Sequence, residues 1–78
     1  MSEQFTKEEI RRLLTDEREV RQILTDQQTN LQERLLMHSD IVTQATLLAV
    51  DNELVMVNNI IAKLWRMLVN NNHTPHSG

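Results

Sequence analysis

Seven apolar residues, Leu47, Val50, Leu54, Val57, Ile61, Leu64 and Leu68, recur at alternating steps of three and four without a miss. That spacing predicts a helix over 41–69 with a heptad seam. Leu47, Leu54, Ile61 and Leu68 fall at position a, and Val50, Val57 and Leu64 at d. A second apolar row, Leu48, Val55, Ala62 and Val69, falls at b. Row f, opposite the seam, is small or polar: Ala45, Asn52, Asn59 and Arg66. A helix apolar over so much of its circumference must be covered on at least two sides.

The upstream half carries a narrower stripe. Ile10, Leu13, Leu14, Val20, Leu24, Leu31 and Leu35 fall within an arc of about 120° at 100° per residue. Arg11, Arg12, Arg18, Glu19 and Asp26 lie on the opposite side. This predicts an amphipathic helix over 6–37. Its start is marked by Thr6-Lys7-Glu8-Glu9, a capping box, with Phe5 and Ile10 at the positions of a hydrophobic staple. Leu14-Thr15-Asp16 recurs as Leu24-Thr25-Asp26, too short a match to establish a repeat. Residues 1–5 read as an N-terminal extension and 6–69 as a helical oligomerisation domain. Residues 70–78 have no apolar side chain except Pro75, so they are expected to fray.

Two layouts fit. In the first, the chain turns at His38-Ser39-Asp40, with Ser39 as N-cap, and forms an αα-hairpin that assembles into an oligomeric helical bundle. An earlier turn is written at Thr25 to Asn30, where Thr25-x-x-Gln28 and Thr29-x-x-Gln32 both fit capping boxes. In the second, one unbroken helix of about 64 residues reaches roughly 96 Å and forms a coiled coil. The seam argues for the hairpin. Leu24, Leu31, Leu35, Val42, Ala45 and Ala49 share one heptad frame, whereas Leu47 onward lies on another.

One amphipathic stripe can cover only one side of the downstream helix. A core this small rarely supplies more than about 3–5 kcal/mol. Each large apolar side chain left wet forgoes roughly 1.5–3 kcal/mol. A homo-oligomer is therefore expected, held together by Leu47, Val50, Leu54, Val57, Ile61, Leu64, Trp65 and Leu68. Leu at a with β-branched residues at d shifts parallel coiled coils toward larger assemblies. A dimer of hairpins ranks first and a tetramer second. A charge placed at Leu54 or Ile61 is expected to dissociate it.

Composition narrows the classes. The 78 residues allow one domain, and the absence of Cys removes disulfide, thiolate-metal and thiol-nucleophile chemistry. One Gly, one Pro and two aromatics fit poorly with a compact β fold. The polar N-terminus, with Glu3, Lys7, Glu8 and Glu9, does not resemble a secretory signal. The runs Leu47–Val50 and Leu54–Val57 are too short to span a bilayer and are separated by Asp51, Asn52 and Glu53. A soluble, intracellular or virion location is the expectation, with no membrane. The net charge of −3, and the interleaving of Arg11, Arg12, Arg18, Arg21 and Arg34 with acidic residues, argue against nucleic acid.

Candidate chemistry is sparse. His38 lies between Leu35 and Val42 on the apolar frame, where symmetry would gather imidazoles for pH sensing or metal; a helix-end His is the plainer reading. His73 and His76 share a three-residue spacing, but Thr74-Pro75 breaks a helix there. Asp51 and Glu53 sit two residues apart and point to different sides of a helix, as a polar rim would. Trp65, with Met56 and Met67, reads either as a plastic docking surface or as a cover over Ile61 and Leu68. Nothing resembles a nucleophile–base pair, a phosphate loop or a metal-ligand set, so no cofactor and no catalysis are expected. The expected function is a non-enzymatic structural, scaffold or adaptor role through coiled-coil-like contacts. The alternative is a small regulatory or inhibitory protein whose C-terminal helix docks on a partner, and a dimeric nucleic-acid binder is third.

Overall fold

The computed structural model describes residues 5–72. They form two long helices, α1 (Lys7–Met37) and α2 (Ile41–Asn72), packed against each other as an all-α helical hairpin. The result is a rod of 61 × 18 × 16 Å. The unbroken helix is thus excluded, and the three-residue connection 38–40 is the turn that the change of heptad frame requires.

α1 begins as its capping box dictates. The Thr6 hydroxyl accepts from the Glu9 amide at 3.1 Å, and the Glu9 carboxylate accepts from the Thr6 amide at 2.9 Å. Thr25 and Thr29 start no turn. Their hydroxyls donate back to the carbonyls of Arg21 and Thr25, at 2.8 and 3.1 Å, inside a continuous helix. α1 ends at His38, whose extended backbone places its amide on the Arg34 carbonyl at 2.7 Å.

The cap of α2 is Asp40, one residue later than expected. Its carboxylate accepts from the Thr43 amide at 2.8 Å and from the Thr43 hydroxyl at 3.0 Å, and its carbonyl accepts from the Gln44 amide. Ser39 instead accepts from the Gln44 side chain at 3.3 Å. The carboxylate of Asp suits the positive end of a helix better than a hydroxyl does. The amide and hydroxyl of Thr43 hold the Asp40 carboxyl below its ordinary value, with His38 adding attraction. At its other end α2 runs through Asn72, past the expected Val69. The expected fraying beyond 72, and the readings of His73 and His76, lie outside the described residues.

Candidate interaction surface

Closing the hairpin uses the a/d seam. Val50, Val57, Ile61, Leu64 and Leu68 are buried, and Leu47 and Leu54 are half-buried against the same cluster. From α1 they meet Ile10, Leu14, Leu24 and Leu31. The residues expected to join chains are therefore occupied within one chain, Trp65 excepted. Trp65 is exposed, with the Arg18 guanidinium 6.0 Å from its ring centroid.

α1 meets this seam along Ile10, Leu14, Glu17, Arg21, Leu24, Gln28, Leu31 and Leu35, all of them buried or half-buried. Its steps alternate four and three. Val20, placed on the stripe by helical averaging, is exposed because Glu17 and Arg21 take the seam positions on either side of it. Polar seam residues find partners on row e of α2. Gln28 donates to Asp51 at 2.7 Å, and Arg21 donates to Asn58 at 3.3 Å. With Arg18 over Trp65, these contacts line one flank of the hairpin and run antiparallel.

The other expectations resolve from this geometry. Met56 and Trp65 are nine residues apart, half a turn out of phase, so they cannot share a surface; Met67 packs on the core. Asp51 faces Gln28 while Glu53 is exposed, so the two carboxylates serve no joint chemistry. His38 is exposed at the turn, and no group of three metal-ligating side chains occurs among the described residues. Arg18 and Arg21 turn toward α2, which breaks up the arginine set. Concavities near the turn, such as one of about 420 Å³ lined by Asn30, Glu33, Arg34 and Met37, are open surface depressions.

What the hairpin leaves uncovered is the outer face of α2. Ala45, Asn52 and Asn59 run down its middle. Ile41, Leu48, Val55 and Ala62 flank them on one side, and Val42, Ala49 and Met56 on the other; all are exposed. The large ones among them are 59–76 % exposed. No charged side chain stands in these three rows from Ile41 to Ala62, about 33 Å of helix. Lys63 and Arg66, in the same rows, close its C-terminal end, whereas Asp40, just before it in sequence, lies on row a at the seam side. Sequence reasoning had noted the b row but assigned the assembly to the seam. The signal it lacked was which of two apolar rows α1 would take.

By length and composition alone, Ile41–Asn70 is also long and apolar enough to cross a membrane, which the two short runs taken singly are not. Asp51 and Glu53 stand near its middle. Compared with protein-family models, curated proteins and solved structures, the chain matches none.

Proposed function

We propose that this chain is a non-enzymatic assembly module, a helical hairpin that joins copies of itself through the outer face of α2 and serves as a scaffold or adaptor. The uncharged apolar face from Ile41 to Ala62 carries this reading. Exposed apolar residues are ordinary when scattered, whereas a contiguous uncharged strip over about two thirds of a long helix marks a contact surface. Covering it adds up to about 1.5–3 kcal/mol per large side chain, comparable to the whole core of so small a domain.

Light scattering on the purified protein tests this reading. A defined multimer of the 9.2 kDa chain, with melting that rises with concentration, supports it. A monomer at every concentration overturns it and leaves the same face to a different protein partner or to a lipid surface.

A further inference from the structure

The strip has polarity, and that polarity selects one pairing. We infer that two copies pair through α2 in antiparallel orientation, about a two-fold axis passing beside Asn52. This rests on the reading of the chain as a self-assembling module and adds the orientation and register.

Two observations fix the register. The first is charge. The uncharged stretch runs from Ile41 to Ala62 and is closed at its C-terminal end by Lys63 and Arg66, which lie in the same rows. Antiparallel superposition of the two stretches centres the pair beside Asn52 and sends the Lys63 and Arg66 of the two copies to opposite ends of the contact. A parallel pair would instead stack Arg66 on Arg66 and bring both Lys63 to the same end, a like-charge arrangement that selects against it.

The second is size. In the antiparallel register Met56 faces Ala49, Ile41 faces Ala62 and Asn59 faces Ala45, a larger side chain against a small one each time, while Leu48 faces Val55. A parallel register in step would set Ala45 on Ala45 and Asn59 on Asn59 in the middle row and Met56 beside Val55 on the flank. Asn52 meets its own copy at the axis, where two carboxamides can each donate and accept. An Asn paired with its own copy in an apolar helix contact is a known device for fixing register. The contact is isologous, so it closes at two copies and leaves no open end for fibre growth.

The chain has no Cys, so single cysteines report the pairing directly. The measurements are the mass in solution and the products formed by a short thiol-specific cross-linker. Asn52→Cys is expected to cross-link to itself with high yield. Ala45→Cys and Asn59→Cys are each expected to give little product alone and a linked pair when mixed. Efficient self-linking of Ala45→Cys and Asn59→Cys would establish a parallel pair and overturn the orientation. A multimer by mass in which none of these cysteines link would place the contact on another face and overturn the inference while sparing the self-assembly reading. A monomer by mass would overturn both.

Discussion

Gln28 on α1 donates to Asp51 on α2 at 2.7 Å, a hydrogen bond between half-buried groups across the middle of the hairpin. It spans the two helices at the one polar position of the α1 seam between Leu24 and Leu31. A helix pair held only by Leu and Val can slide by a turn at small cost, because one apolar knob replaces another. A charged acceptor matched to one amide resists that shift, since sliding leaves both polar groups poorly partnered. Gln28→Ala is expected to destabilise the hairpin by about 1 kcal/mol. In a double-mutant cycle with Asp51→Ala, most of that loss should disappear when both are changed. Strictly additive losses would show that the bond does not couple the helices.

The division between an inner seam and an outer strip makes opposite predictions for two apolar residues on one helix. Ile61 is 6 % exposed and Leu48 is 62 % exposed. Ile61→Ala is expected to cost about 2–5 kcal/mol, most of what such a core supplies. Its melting temperature should fall at every protein concentration. Leu48→Ser should change the stability of the dilute chain by no more than about 0.5 kcal/mol. It should lower the melting temperature only where the wild type is assembled. Thermal melts over a dilution series separate the two. A Leu48→Ser variant that melts early even when dilute would mean that this side chain belongs to the hairpin core. The expectation that a charge at Ile61 merely dissociates an assembly is replaced: it should break the hairpin itself.

Much of this architecture was legible in the residues. Thr6 and Glu9 announce the start of α1, the change of heptad frame argues for a hairpin, and the polar His38-Ser39-Asp40 stretch locates its turn. The seam residues of α2 were identified as a buried row. Their partner was not, because periodicity reports that a row is buried and is silent on what buries it. The α1 stripe was blurred for a related reason. An average over 100° steps admits Val20 and rejects Glu17, Arg21 and Gln28 as polar, whereas the folded chain half-buries all three at the seam, Arg21 against Asn58 and Gln28 against Asp51. Ser39 and Asp40 are both good caps by residue type, and the closed turn settles on Asp40, whose carboxylate suits the helix dipole.

The cap at Asp40 carries a pH dependence of definite sign. Its carboxyl titrates below its ordinary value when folded, chiefly because the Thr43 amide and hydroxyl donate to the charged form. A group whose folded value is depressed contributes stability above its unfolded value, and loses it as the pH falls through the folded one. Asp40→Asn keeps an acceptor for the Thr43 amide but has no charge to lose. The melting temperature of the wild type is expected to exceed that of Asp40→Asn near neutral pH, and the gap should narrow on acidification below the usual carboxylate range. A gap that stays constant to strongly acidic pH would show that the charge of Asp40 does not stabilise the cap.

Trp65 is the only tryptophan, and its position makes it a reporter of one event and not the other. It lies on the hairpin flank with Arg18 over its ring, on row e, just over a quarter of a turn from the midline of the uncovered strip and beyond its end at Ala62. Opening the hairpin removes Arg18 and wets the rest of the indole, which shifts its emission to longer wavelength. Separating two copies at the outer face of α2 leaves that environment unchanged. Emission is therefore expected to follow helicity during denaturation, and to stay constant through a dilution that halves the mass seen by light scattering. Arg18→Ala should alter the emission of the folded chain without changing the mass at a given concentration. If emission instead tracks dilution while helicity holds, Trp65 sits in the contact between chains, and the flank built by Arg18, Arg21 and Gln28 is part of the assembly surface.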